Sequence, residues 1–262
     1  MMLLTDIISA YPIQIRGFER FILREYLQYK ILEILFESEF ASQFCFLGGT
    51  NLRIIHENQR FSEDLDFDNF NVISSTFDNV SNMIAEKLKK QGYEIEIKVI
   101  HKGAFHCYIK FPELLYQQGL SPIREEKILI QLDTESQHFN YTPERFILNK
   151  FEVFMPINVC SLDLLLAQKF YAVLNRKRNK GRDFFDIVFI LSKTKQIDFN
   201  YLNQKVGIRN SNQLKENIFE KCASIDMKEM AEDVAPFLFD QKDINKIIYF
   251  EDYLKQINLQ HN

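Results

Sequence analysis

The spacing of apolar residues changes character several times along the chain. Over 17–39 (GFERFILREYLQYKILEILFESE), Phe18, Phe21, Ile22, Leu27, Ile31, Leu32 and Leu35 recur at helical spacing, which predicts an amphipathic helix. A short strand signal at Phe44, Phe46 and Leu47 follows and ends on Gly48-Gly49. Ser74 and Ser75 open a second helical pattern over 76–91, closed by Gly92. Three strand-like runs come next, at 93–100, 104–111 and 127–133, the first two joined by a turn at His101-Lys102-Gly103. Pro112 and Ser121-Pro122 bracket a loop, and 150–156 reads as a short β-like run closed by Pro156. From Ser161 the pattern is helical, over 161–178, 183–193 and further segments to about residue 257. Strands followed by helices predict an α+β protein. A mixed-sheet lobe with flanking helices is expected over 1–157, and a mostly helical lobe, completing a cleft with the first, over 158–262.

Size and composition narrow this picture. With 262 residues, 46% of them hydrophobic and 26% charged, the chain can bury a sizeable core in one large domain or two lobes. Its 25 phenylalanines and lack of tryptophan describe that core rather than a function. A net charge of −4 excludes a broad basic surface, so any nucleic-acid contact must be local. Cys45, Cys107, Cys160 and Cys222 are far apart, with no C-x-x-C spacing, so neither a zinc site nor a disulfide framework is expected. The start, MMLLTDIISAYP, lacks a basic leader region, and no run reaches membrane-spanning length. The expectation is a soluble cytoplasmic protein with no membrane partner.

The richest chemistry lies in 46–68, FLGGTNLRIIHENQRFSEDLDFD. Alternation along a strand puts Asp64, Asp66 and Asp68 on one face and Leu65 and Phe67 on the other. Carboxylates at i and i+2, about 7 Å apart along the strand, can converge on a divalent cation. A glycine turn that opens a helix offers backbone N–H groups to a phosphate. Each feature alone is ordinary: alternating acids usually make a solvated face, and Gly-Gly usually makes a tight turn. Together they point to metal-assisted phosphoryl or nucleotidyl transfer.

A second informative run is 161–186, SLDLLLAQKFYAVLNRKRNKGRDFFD. Leu162, Leu165, Leu166, Phe170, Val173 and Leu174 form the apolar stripe, and Lys169 lies beside it. A lysine there either snorkels to solvent or brings a point charge to phosphates. Arg176-Lys177-Arg178-Asn179-Lys180-Gly181-Arg182 is either a helix C-terminus with favourable charge and a glycine stop or a local patch for nucleotide or RNA phosphates. Asp183 suits an N-cap. Asp186, between Phe185 and Ile187, needs a polar or cationic partner, with Lys169, Arg176 and Arg182 as the nearest candidates.

A glycine pair followed by a D-x-D strand resembles the first motif of the DNA polymerase β-type nucleotidyltransferase superfamily. Gly48, Gly49, Thr50 and Leu52, then Arg60, Ser62, Asp64, Asp66 and Phe67, look more narrowly like the AbiEii/MenT-type nucleotidyltransferase toxins. Leu162, Asp163, Leu164 and Lys169, then Arg178, Arg182, Asp183, Asp186 and Ile187, match that family's later motifs in order. The resemblance covers roughly 44–192. It implies a toxin of a type IV-like toxin–antitoxin or phage-defence system, with an antitoxin encoded nearby. It further implies transfer of a nucleotide from an NTP to an acceptor, RNA in the form of a tRNA 3′ end. In this reading Asp64 and Asp66 bind Mg²⁺, with Mn²⁺ as its substitute. Gly48, Gly49 and Thr50 hold the triphosphate, Arg60, Ser62 and Arg182 assist with the nucleotide, and Lys169 contacts its phosphates. Asp186 orients Lys169 or assists the acceptor nucleophile. One departure stands out: where superfamily members carry a third carboxylate in mid-strand, this chain has Gln131, leaving Asp133, or Glu94 and Glu96 from the hairpin, as substitutes. Two rival readings remain, transfer to a protein hydroxyl and a degenerate, non-catalytic nucleotide- or RNA-binding module.

Overall fold

The computed structural model describes residues 2–261. They divide into two compact units: the chain up to His56 together with Phe61–Val159, and Glu57–Arg60 together with the chain from Cys160 onward.

The first unit runs α1 (Leu4–Ser9), α2 (Glu19–Phe36), β1 (Phe44–Leu47), α3 (Gly48–Ile54), β2 (Leu65–Asn69), α4 (Ser74–Lys90), β3 (Glu96–Lys102), β4 (Ala104–Phe111), α5 (Leu114–Gln117), β5 (Ile128–Thr134), β6 (Glu144–Lys150) and β7 (Val153–Val159). These strands form one sheet in the order β3-β4-β5-β2-β1-β7-β6. Pairs β1/β2, β3/β4, β4/β5 and β6/β7 are antiparallel, while β2/β5 and β1/β7 are parallel. The sheet is therefore mixed and mostly antiparallel, as the α+β pattern predicts.

Alternation decides which face of β2 is core. Phe67 packs against Phe36, Phe44 and Phe46, with ring centroids 6.2, 5.9 and 5.5 Å away. A fully buried ring of this size contributes roughly 2–3 kcal/mol. Burying Phe67 on that side obliges the acids of β2 to take the other. Elsewhere in the unit, Glu25 of α2 is buried, yet it accepts from Tyr11 Oη at 2.9 Å and pairs with Arg53 at 2.8 Å and Lys150 at 3.0 Å. Burial alone would raise its pKa, but the two cations outweigh burial and hold the carboxyl below its usual range.

The expected run at 150–156 is instead the end of a hairpin between β6 and β7. Pro156 does not close a strand but lies inside β7, opposite Ile147. It is tolerated because β7 meets β1 only at Val159, so its missing N–H breaks no bond on that side. Within the loop expected after Pro112, α5 buries Leu114 and Leu115.

The second unit is helical: α6 (Leu162–Asn175), α7 (Gly181–Lys193), α8 (Phe199–Val206), α9 (Ser211–Cys222), α10 (Met227–Val234), α11 (Asn245–Ile248) and α12 (Phe250–Gln256). Two short strands, β8 (Gln196–Ile197) and β9 (Gln260–His261), pair in parallel. Asp198, Asn210 and Asp226 cap α8, α9 and α10 through their side chains. The segment Glu57–Arg60, expected in the first lobe, is bound into this unit by an Arg60–Leu238 bridge and a Phe239 N–H donated to the Gln59 carbonyl.

Gly181 is not a helix stop. It begins α7, and a Cβ there would sit 1.8 Å from the Met230 carbonyl oxygen of α10. The basic run therefore forms the link between α6 and α7 rather than the last turn of a helix. Asp183 is accordingly not the N-cap, a position held by Lys180. The four cysteines are reduced and buried, Cys45 and Cys107 in the first unit, Cys160 and Cys222 in the second. Burial pushes the Cys45, Cys107 and Cys222 thiols up to about 12, about 11 and about 12. Among the described residues, no helix is long and apolar enough to cross a membrane.

Candidate active site

In the sheet unit the antiparallel register of β1 and β2 places Leu47 opposite Asp66, and the chain then turns at Gly48. Gly48 has φ +82°, and a Cβ on it would lie 2.2 Å from Asp66 Oδ2. Only glycine satisfies both conditions, so the first glycine of the pair exists to let a carboxylate lie against the turn. Asp64 and Asp66 are half-buried. Asp68 shares their face by alternation but is 2% exposed, because the chain after β5 covers it. Its oxygens accept from the Gln137 N–H at 2.8 Å and Tyr141 Oη at 2.9 Å. Two of the three acids are thus half-buried, and the third anchors a loop.

Thr50 and Ser62 are both buried next to the acidic strand. Thr50 is fully buried and its hydroxyl donates to the Asp64 carbonyl, which fixes the backbone that carries Asp64. Ser62 is buried, and its carbonyl accepts from Gln28 Nε2 of α2 at 3.1 Å. Both support the acidic strand from behind.

The parallel register of β2 and β5 sets Asp133 beside Asp66, on the same face. Asp133 Oδ1 is 2.8 Å from His106 Nδ1 of β4, and its oxygens accept from Gln131 Nε2 at 2.8 and 2.9 Å. Gln131 holds Asp133 by donating from its amide, as a second carboxylate could not. Of the alternatives, Glu96 pairs with Lys127 at 2.8 Å on β3, separated from β2 by β4 and β5, and Glu94 precedes that same edge strand. The hairpin glutamates are thereby set aside as the third carboxylate. His106, given no role from the sequence, becomes legible only once β4 and β5 are paired.

The donor set suits a hard divalent cation. Among the described residues, no three His, Cys, Asp or Glu side chains converge as a ready-made cage. Mg²⁺ is commonly held by one or two carboxylates, with phosphate oxygens and water completing the shell. Asp64 and Asp66, half-buried at the start of β2 and the second of them against a glycine turn, are carboxylates of that kind.

The helical unit holds a different constellation. Asp186 is 0% exposed and receives Arg60 Nε at 2.8 Å, Arg60 Nη2 at 2.7 Å, Asn58 Nδ2 at 2.8 Å and Lys169 Nζ at 2.8 Å. Lys169 also pairs with Asp183 at 3.0 Å, and Arg176 closes on Asp183 at 3.0 Å. Burial alone would raise the Asp186 pKa, but Arg60 and Lys169 override it and hold the carboxyl below its usual range. Burial likewise opposes the charge of Lys169, and Asp186 and Asp183 hold its pKa above the usual lysine range.

Arg60, assigned to the nucleotide from sequence, is 1% exposed and spends its guanidinium on Asp186. It is a structural clamp. Asp186 is sealed from solvent, and its oxygens meet Arg60, Asn58 and Lys169. Arg182 lies over the Phe237 ring at 5.4 Å. Arg176, Lys177 and Arg178 are exposed.

With this geometry in view, the family profile described as "Nucleotidyl transferase AbiEii toxin, Type IV TA system" matches residues 30–256. The chain belongs to the AbiEii family. Two solved structures from Helicobacter pylori share the fold with this AbiEii chain, each with a TM-score of 0.55 and 17% identity. One is JHP933, where the likeness covers 90% of this chain and 92% of that one. The other is described as a candidate nucleotidyltransferase, with 90% and 95% covered. No curated protein matches. Family membership makes the AbiEii chain a nucleotidyltransferase of the type IV toxin class, as the glycine turn, the D-x-D strand and the later motifs imply.

Proposed function

We propose that this nucleotidyltransferase moves a nucleoside monophosphate from an NTP to an RNA acceptor, a tRNA 3′ end, with Mg²⁺ on Asp64 and Asp66. The carrying observation is the Asp66 carboxylate seated against the left-handed Gly48, with the half-buried Asp64 directly before β2. A divalent cation there supplies charge neutralisation for an in-line displacement at the α-phosphate. The chain's own part is positional. Gly48 and Gly49 present backbone N–H groups at the start of α3, where no earlier turn uses them. Thr50 holds the Asp64 backbone, and Asp133, steadied by His106 and Gln131, serves as the third carboxylate. Lys169 contacts phosphates, with Asp183 and Asp186 as the positioning carboxylates that fix its ammonium. The exposed Arg176, Lys177 and Arg178, with Arg182, offer local positive charge to RNA phosphates in a chain of net charge −4. A separate antitoxin is the regulatory partner, and the cytoplasm is the setting.

The test is incubation with each α-labelled NTP, Mg²⁺ and either total RNA or total protein. A labelled RNA band, absent with Asp64→Ala, is the expected result. Label in protein alone moves the acceptor to a protein hydroxyl, and no pyrophosphate release from any NTP overturns the catalytic reading.

A further inference from the structure

The acidic face of the sheet does not end at Asp66. One alternation further along β2, Asp68 is covered by the segment that follows β5, and that segment carries two aromatic rings. Phe139 and Tyr141 are stacked, with centroids 6.3 Å apart and planes within 23°. Tyr141 also meets Phe70, which follows directly on β2, at 5.9 Å. All three rings are partly exposed, unlike the Phe67 cluster on the opposite face of the strand.

These rings are held in place. Tyr141 Oη donates to Asp68 Oδ2, the Gln137 N–H to Asp68 Oδ1 and the Glu135 N–H to the Phe67 carbonyl. A 2%-exposed carboxylate that accepts from this segment is an expensive anchor for an otherwise irregular loop. What it achieves is a pair of aromatic faces fixed on the side of the sheet that bears Asp64 and Asp66. Asp66 and Asp68 are two residues apart, about 7 Å along the strand, which is within the reach of a nucleotide from its phosphates to its base.

Resting on the nucleotidyl-transfer reading above, we propose that Phe139 and Tyr141 form a stacking platform for a nucleobase, that of the incoming NTP, with Asp68 as the positioning residue that fixes it. Stacking on an aromatic side chain recognises any base by its π-face. The platform therefore strengthens nucleotide binding without itself choosing among bases.

The experiment measures binding of an NTP and of inorganic tripolyphosphate, with Mg²⁺, to the full chain and its Phe139→Ala and Phe139→Trp variants. A short single-stranded oligoribonucleotide is a third ligand. Phe139→Ala is expected to weaken the NTP about tenfold, towards the lower end of the range for one base stack, and to leave tripolyphosphate unchanged. Phe139→Trp is expected to bind the NTP at least as tightly as the parent. Tyr141→Phe, which keeps the ring and loses the tether to Asp68, is expected to fall between them. A tenfold loss confined to the oligoribonucleotide overturns the assignment to the incoming NTP and moves the stacked base to the acceptor. Unchanged affinity for both nucleotide ligands, or a parallel loss of tripolyphosphate, overturns the platform while the phosphate site stands. A parent chain that binds neither NTP nor tripolyphosphate overturns the underlying reading as well.

Discussion

The molecule carries two sets of aspartates, and their surroundings are opposite. Asp66 on β2 and Asp64 directly before it are half-buried, with a glycine turn against the first and the Thr50 hydroxyl on the backbone carbonyl of the second. On α7, Asp186 is sealed from solvent and meets Arg60, Asn58 and Lys169. The first pair is half-buried, at the place proposed for a cation. The second spends its charge internally. On the reading proposed above, identical side chains meet a ligand in one unit and fix a lysine from within the core in the other, and burial, not residue type, tells them apart.

Substitution on the acidic strand should give the largest effect on activity. Asp64→Ala or Asp66→Ala is expected to lower nucleotidyl transfer by on the order of 10³-fold or more, since it removes several kcal/mol of charge stabilisation. Thermal unfolding should stay close to that of the parent, because neither carboxylate supports the core. Full activity in both variants would break the comparison on its first side.

The converse is expected on α7. Arg60→Ala or Asp186→Ala strands a buried charge and should cost about 3–5 kcal/mol of stability, read from the denaturant midpoint. Replacing both at once, Arg60→Met with Asp186→Leu, should recover much of that loss, because no unpaired charge remains. If the single variants unfold like the parent, the cluster is not the clamp described.

A third expectation concerns pH. The folded chain holds Asp186 below the ordinary carboxylate range, so its stabilising contribution is whole above that range and drains away as pH falls through the lowered value. For Lys169, held above its ordinary range, the contribution is whole below about pH 10 and disappears as pH rises through the raised value. Denaturant midpoints followed from neutrality to below about pH 4 should show a step that Asp186→Asn removes. An identical acid profile in both proteins would count against the assigned pairing.

The smallest effect belongs to the exposed cations. Lys177→Ala should change stability by less than about 0.5 kcal/mol. It should lower RNA affinity modestly and reduce the salt slope by about one, with NTP affinity unchanged. A parent-like salt slope would remove Lys177 from the RNA contact.

The acidic strand was legible because alternation is a local property: Leu65 and Phe67 against Asp64 and Asp66 can be read from consecutive residues. That Asp68 would be covered could not be read, since Gln137 and Tyr141 arrive from beyond β5 with no periodic signature. Arg60 was misassigned for a similar reason. It sits inside the motif that carries the acids, while its partner lies 126 residues away. Gly181 looked like a stop because a glycine after a basic run commonly is one, but the constraint on it comes from the Met230 carbonyl of α10. The β6–β7 hairpin was hidden by Pro156, whose place depends on how little of β7 is paired with β1. In each case the local pattern was sound and a distant segment supplied the deciding contact.

The buried thiols offer a use that follows from where they lie. Two sit in each unit, all shielded and none in a disulfide. A thiol-alkylating reagent under native conditions should label each one only when its surroundings open. Mass-resolved labelling at Cys45 and Cys107 against Cys160 and Cys222 would then time the breathing of the sheet and of the helices separately, with no probe added to the chain.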